Sequence, residues 1–310
     1  MPRFTERHDL LRKRLERFTR MLPGVGQGDG RAVHRARVAS RRLREVLPVL
    51  QLDADVLHKL SRRLRKITDR LGAVRELDVL LSVIDELAKT DRFPQTALSR
   101  VAAGIDEERE RKRERLLAKG QLRELRRVGA KLEKLARTLE TEDAVPRRGT
   151  DRRSWKWAVD ARVARRAATL DVAISKAGTV YLPERLHDVR IAVKKLRYAL
   201  ELSAEVAQLK TSPDLQQLRR IQDILGRLHD LHVLMDRTRE VQASLTPPDV
   251  NEWRQLDALV VSLEDSCRRL HGRYMKDRDA MLALCARFSG RAGHAREARS
   301  PKVKVVKSNF

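Results

Sequence analysis

The sequence has few cysteines, few aromatic residues and no long apolar run. Cys267 and Cys285 lie far apart and have no Cys-x-x-Cys spacing, so they supply neither a disulfide framework nor a zinc-ligand pattern. No run of about 18 apolar residues exists, which argues against a membrane-spanning helix. Charges throughout residues 1–22 are unlike the apolar stretch of a signal peptide. We therefore expect a cytoplasmic protein that does not enter membranes.

Sequence patterns typical of phosphoryl-transfer enzymes are also missing. The chain has no Gly-x-x-x-x-Gly-Lys loop and no His/Asp cluster suited to a metal ion. Phosphoryl transfer normally needs carboxylates that hold a metal, together with a positioned nucleophile. We expect no enzymatic activity, no metal site and no cofactor.

Positive charge is abundant. Lys and Arg number 68 against 43 Asp and Glu, which gives a net charge of +25 and a pI near 10.9. Such an excess attracts polyanions, so nucleic acid, anionic membrane surfaces and polyphosphate are all compatible with the composition. An apolar content of 41% over 310 residues can supply the cores of two domains.

Nearly every segment has the pattern of an amphipathic helix, and no segment has a convincing strand pattern. Asp29 and Asp53 are expected to cap helices, and Ser212 should cap a helix that Pro213 begins. Thr141–Thr150 lacks an apolar period and contains proline and glycine, which predicts a domain boundary. The expected fold is all-α, with four-helix bundles at 1–145 and 146–289 and a basic, disordered tail at 290–310. The predicted helices span about 4–21, 31–50, 54–88, 94–140 with a break near Gly120, 152–178, 183 onward, 213 onward, and 249–289.

Two segments occur twice in the chain. His34–Arg44 returns as His187–Arg197, 153 positions later, and Leu64–Gly72 returns as Leu218–Gly226, 154 positions later. Because the two spacings differ by a single residue, we interpret both matches as the result of one internal duplication.

The first repeated segment places cations along one side of a helix. At about 100° per residue, His34, Arg37, Arg41 and Arg44 fall within an arc of about 80°, and their counterparts in the second copy fall within the same arc. Like charges at helical spacing repel by a few tenths of a kcal/mol per pair, so an anion is expected to bind there. A solvated charged face is the alternative, but it does not explain cations at matched positions in both halves. The cations of these two basic ridges are His34, Arg37, Arg41 and Arg44, and His187, Arg190, Lys194 and Arg197; Arg42 and Lys195 occupy matched positions beside them, outside the arc.

The second repeated segment contributes further cations and an unusual glycine. A glycine inside a helix costs about 1 kcal/mol relative to alanine, so Gly72 and Gly226 predict close helix–helix approach. Asp69 and Asp223 are expected to pair with basic side chains. The additional candidate ligands are Arg65, Lys66, Arg75, Arg219 and Arg220.

Together, the two His-x-x-Arg ridges and the two Leu-Gly segments resemble the CHAD family, the conserved histidine α-helical domain, over roughly residues 4 to 289. The resemblance implies two four-helix bundles related by a pseudo-twofold axis, with the basic helices facing a central groove or pore. It also implies binding of inorganic polyphosphate, with Arg42 and Lys195 joining the ridge cations as ligands, and association with polyphosphate granules in bacteria. The second half departs from the family's Arg-Asp-x-Asp pattern at His229 and His232. A CYTH triphosphatase domain, which often accompanies CHAD, is not expected in this chain.

Polyphosphate is the expected ligand, because a linear polyanion suits two facing rows of Arg and Lys. Nucleic acid is the alternative. Aromatic residues make up 4% of the chain, and Tyr198 alone adjoins the ridge cations, whereas single-strand binders use stacking rings. His34 and His187 begin the two ridges, and the sequence leaves both a ligand role and a structural role open for them.

Overall fold

The computed structural model describes residues 6–90, 92–144, 149–207, 213–245 and 249–297, and these residues form helices without any strand. None of the described helices has the length and apolar character needed to cross a membrane. The helices are α1 (Arg7–Thr19), α2 (Leu22–Gly26), α3 (Gly30–Val46), α4 (Ala54–Ala88), α5 (Gln95–Leu117), α6 (Lys119–Ala144), α7 (Gly149–Ala177), α8 (Pro183–Val206), α9 (Pro213–Ala243) and α10 (Val250–Glu297).

The predicted caps at Asp29 and Asp53 are confirmed. The Asp29 side chain accepts a hydrogen bond from the Arg31 backbone, and Asp53 accepts bonds from the backbones of Asp55 and Val56. Each bond satisfies N–H groups that the first turn of a helix leaves without a partner. The caps therefore fix the starts of α3 and α4, which carry the basic positions of the first half.

Several helix boundaries differ from the prediction. The glycine-rich segment expected to be a loop contains the short helix α2, and the second predicted helix ends in a 3₁₀ turn at Leu47–Val49. The break between α5 and α6 falls at Ala118, two residues before Gly120. Helix α10 continues to Glu297, beyond the expected end at 289. Ser212 lies outside the described residues. So do residues 145–148 of the predicted boundary and residues 298–310 of the predicted tail.

The buried apolar residues form three clusters. The first joins α1, α3, the start of α4 and α6, and it also includes Trp155 of α7 and Leu202 of α8. The second lies among α7, α8, the start of α9 and the end of α10. The third joins the remaining lengths of α4 and α10 with α5 and the end of α9. The long helices α4, α9 and α10 each contribute to more than one cluster, which ties the two halves of the sequence together.

Helices that carry matching segments contact one another. Helix α3 contacts α8, and α4 contacts α9. The two ridge helices are therefore brought to the same place in the fold, and the buried faces of α3 and α8 explain why. Their apolar positions, such as Leu43 on α3 and Leu196 on α8, are fully buried on the side away from the ridges.

Gly72 and Gly226 differ in their surroundings. A β-carbon at Gly72 would lie 3.2 Å from Nε of Arg37, so this glycine makes room for a ridge side chain and not for a neighbouring helix backbone. A β-carbon at Gly226 would have no neighbour within 4 Å. The expectation of close helix–helix approach is therefore wrong for Gly226, and at Gly72 the close neighbour is a guanidinium group.

These surroundings predict different effects of alanine. Gly226→Ala should raise the free energy of unfolding by about 1 kcal/mol, because alanine favours a helix interior and meets open space there. Gly72→Ala should raise it less, because Arg37 must move to admit the methyl group. Thermal unfolding followed by circular dichroism at 222 nm measures both variants. Equal gains for the two would contradict the assigned contact between Gly72 and Arg37.

Candidate anion-binding site

The contact between α3 and α8 gathers four cations from the two ridges, which we call the central cluster: Arg37, Arg41, Arg190 and Lys194. Arg41 lies close enough to the other three to lower the pKa of each. Arg37 acts in the same way on Lys194 across the contact. The middle positions of the two ridges, predicted separately from the repeat, therefore lie close together in the fold.

Two members of the central cluster have acidic partners, and these occupy matching positions. Nη2 of Arg37 donates to Oε1 of Glu76 at 2.9 Å, and Nη2 of Arg190 lies 4.0 Å from Oδ1 of Asp230. Glu76 and Asp230 are 154 positions apart, the spacing of the second repeated segment. Glu76 is 68% exposed, and burial raises the pKa of Asp230, so both acids offset the cluster's charge only in part.

The other two members have no acidic partner. No carboxylate of the described residues lies within 4 Å of Arg41 or Lys194. Burial, and then the charges of Arg190 and Arg41, lower the pKa of Lys194 to about 7. Burial followed by Arg41 lowers the pKa of Arg37 to about 10. The lowered pKa of Lys194 reduces its positive charge near pH 7 and so relieves part of the repulsion within the cluster.

The two ridge histidines have different surroundings. Nδ1 of His187 lies 3.3 Å from Nδ1 of His229, with the ring centroids 4.7 Å apart. Burial and then Arg190 lower the pKa of both histidines, that of His229 to about 3. Two neutral rings can share one hydrogen bond, so His187 has a structural partner. His34 is exposed, and burial together with Arg75 lowers its pKa.

Four predicted ligands lie in ion pairs away from the central cluster. Arg42, Arg197 and Arg219 converge on Glu201 near the end of α8, with Arg42 at 3.4 Å and Arg219 at 3.8 Å. Arg220 pairs with Asp277 of α10. Arg219 and Arg220 also line a groove of about 540 Å³ between α9 and α10. Each of these four side chains therefore forms an ion pair with an acid of the fold itself.

The remaining predicted ligands lie outside the central cluster. Arg65 and Lys66 are exposed, and Nε of Arg65 lies 3.9 Å from Asp69. The expected pairing is thus seen for Asp69, whereas Asp223 has no ion pair within 4 Å among the residues described. Arg44 and Lys195 lie near Glu45, which Arg162 of α7 holds at 2.6 Å. Arg75 lies beside His34.

Sequence reasoning gave no role to the acids that neutralise ridge cations. Glu76 and Asp230 follow directly on Arg75 and His229, so the repeat placed them at matched positions without showing which cations they would meet. Glu45 and Glu201 contact side chains more than 100 residues away, Arg162 and Arg42 respectively. No local pattern signals such a contact. In the part of the chain that the structure describes, no group of three or more His, Cys, Asp or Glu residues could hold a metal ion.

Comparison with solved structures shows a shared fold. A crystal structure of the CHAD domain from the plant Ricinus communis is similar with a TM-score of 0.62, at 24% identity over 90% of each chain. PptA from Streptomyces chartreusis is similar with a TM-score of 0.52, at 18% identity over 93% of this chain and 98% of that one. No curated protein sequence matches this chain.

The sequence was also compared with models of protein families. The model of the CHAD domain matches residues 9–239, a range that contains both ridges and both Leu-Gly segments. The match covers most of the chain, and the fold and the resemblance of the repeated motifs agree with it. The protein belongs to the CHAD domain family.

Proposed function

We propose that this protein binds inorganic polyphosphate at the central cluster and that it binds without catalysing a reaction. The observation that carries the proposal is the juxtaposition of Arg41 and Lys194 at the α3–α8 contact without an acidic partner among the described residues. Collecting buried positive charge costs free energy unless an anion compensates it. A bound polyanion supplies that compensation.

The shape of the charged surface favours a linear ligand. Each ridge covers eleven positions, or about 15 Å of helix at 1.5 Å per residue. Arg guanidinium groups can donate two parallel hydrogen bonds to phosphate oxygens, and Lys adds a compact charge. A chain of phosphates can meet Arg37, Arg41, Arg190 and Lys194 in succession, which a single phosphate cannot. The resemblance to the CHAD family implies the same ligand.

The arrangement of helices supports two related bundles with a basic groove between them. Matching helices contact each other, and the pairs Arg37–Glu76 and Arg190–Asp230 recur at matching positions. Arg41 and Lys194 are themselves matching residues, 153 positions apart, and lie at the centre of this arrangement. We also propose that the protein is cytoplasmic and associates with polyphosphate granules.

The first prediction concerns the two unpaired cations. Arg41→Ala together with Lys194→Ala should weaken the binding of long-chain polyphosphate by about 100-fold, because each charged hydrogen bond contributes about 1.5–3 kcal/mol. The melting temperature should not fall, since the change removes repulsion. Fluorescence anisotropy with labelled polyphosphate, over a range of salt, measures the affinity. It should decrease steeply as salt rises, through counterion release.

A matched control removes the same charge elsewhere. Arg111 and Arg268 are exposed and form ion pairs within α5 and α10. Arg111→Ala with Arg268→Ala should leave polyphosphate affinity within about twofold, because exposed pairs contribute little. Equal losses in both double variants would show that total charge, and not the central cluster, determines binding. Duplex DNA of equal charge that displaces polyphosphate at the same concentration would instead favour the nucleic-acid alternative.

The second prediction concerns proton uptake. In the free protein the pKa of Lys194 is about 7, so the amine is mostly neutral at pH 8. A bound polyanion favours the charged amine and raises its pKa, so binding at pH 8 should take up close to one proton per site. Affinity should therefore fall as pH rises above 7. Calorimetry in Tris and in HEPES buffers measures the uptake from the difference in observed heat.

Lys194→Arg provides the control, because an Arg side chain keeps its charge at all these pH values. This variant should bind polyphosphate with little or no proton uptake at pH 8. Unchanged uptake in Lys194→Arg would contradict the role assigned to the Lys194 amine.

A further inference from the structure

A second basic pocket lies between α1 and α3, on a face of α3 next to its ridge. Its volume is about 280 Å³, near the lower end of the range for small-molecule sites. No carboxylate is among the residues that line it. The cations that line it are Arg14, Arg17, Arg20, His34, Arg35 and Arg42.

Two of these cations have a buried nitrogen without an acceptor. The Arg14 side chain is 5% exposed; one of its terminal nitrogens donates to Glu205, and Lys13 also pairs with that carboxylate. The Nε–H of Arg14 and that of Arg42 are buried and have no acceptor among the described residues. An anion bound in this pocket would give both donors an acceptor.

Two further cations of the pocket are exposed. Arg17 and Arg35 have no ion pair within the part of the chain that the structure describes, whereas Arg20 pairs with Glu16 at 2.6 Å. Arg35 and Arg42 lie seven residues apart on α3, so both project towards α1. Arg37 and Arg41 lie on the other side, in the central cluster. Helix α3 therefore has two separate basic faces.

The floor of the pocket is apolar, and this distinguishes it from the central cluster. Met21 and Val38 are partly buried, and Ala39 is 7% exposed. Inorganic polyphosphate has no apolar part that could use such a floor. A nucleobase could lie against it, and guanidinium planes also stack on aromatic rings. A phosphate group attached to the same molecule would meet the surrounding Arg side chains.

We propose that the α1–α3 pocket binds a nucleoside phosphate, with the phosphates held by Arg14, Arg17 and Arg35 and the base lying against Met21 and Val38. This site is separate from the central cluster and goes beyond the proposed binding of polyphosphate. A nucleotide bound there would lie beside His34, the residue that begins the first ridge.

The test compares ATP with inorganic tripolyphosphate, which has the same number of phosphates and no base, in buffer without divalent cations. In the Arg41→Ala/Lys194→Ala variant, where binding at the central cluster is weakened, calorimetry should show tighter binding of ATP than of tripolyphosphate. Arg17→Ala with Arg35→Ala should weaken ATP binding by about tenfold or more, because charged hydrogen bonds to phosphate are lost. Both residues are exposed, so this variant should fold normally. Arg41→Ala with Lys194→Ala should leave ATP binding at the pocket unchanged.

A spectroscopic readout locates the ligand. With methyl-labelled methionine, the Met21 resonance should shift when ATP is added and not when tripolyphosphate is added; Met21→Gln identifies the resonance. The proposal is overturned if ATP binds no tighter than tripolyphosphate, or if ATP affinity is lost in the Arg41/Lys194 variant and kept in the Arg17/Arg35 variant. Long-chain polyphosphate, measured on the same variants, tests the proposed function independently.

Discussion

Arg41 and Lys194 meet at the contact between α3 and α8, and no acid of the described residues lies within ion-pair distance of either. The fold cannot avoid this repulsion, because the apolar faces of the same two helices are buried in the cores on either side. Hydrophobic burial of several residues per helix outweighs repulsion between partly screened charges. Burial and the neighbouring Arg charges lower the pKa of Lys194 to about 7. The packing of α3 against α8 thus maintains the charged surface to which we propose that polyphosphate binds.

Acidic residues are present near the ridges, but their positions restrict what they neutralise. Glu201 and Glu205 lie at the end of α8, where they bind Arg42, Arg197 and Arg14. Glu45, near the end of α3, pairs with Arg162 and Arg166 of α7. These contacts join distant parts of the chain and remove Arg42 and Arg197 from the central cluster. The same contacts leave the middle of each ridge unneutralised, which concentrates the site on four side chains.

Much of the fold follows from local patterns. Apolar periodicity and the Asp29 and Asp53 caps predicted most helices, because these signals depend on nearby residues alone. The repeat matched Arg37 and Arg41 with Arg190 and Lys194, and the structure brings these four side chains close together. Local patterns could not show that Arg197 and Arg219 would share Glu201, or that Gly72 would face Arg37 while Gly226 faces open space. Those outcomes depend on how helices far apart in sequence pack, as does the third core cluster.

The state of Lys194 in the free protein is the most direct test of this account. Protein labelled with ¹³C-lysine, with Lys194→Arg to assign the signal, allows the side chain to be titrated by NMR between pH 5 and 11. The account predicts a midpoint near pH 7, because burial and three Arg neighbours oppose the charge. A midpoint at the ordinary lysine value of about 10.5 would mean that the amine is solvated or neutralised. That result would contradict a central cluster of uncompensated charge.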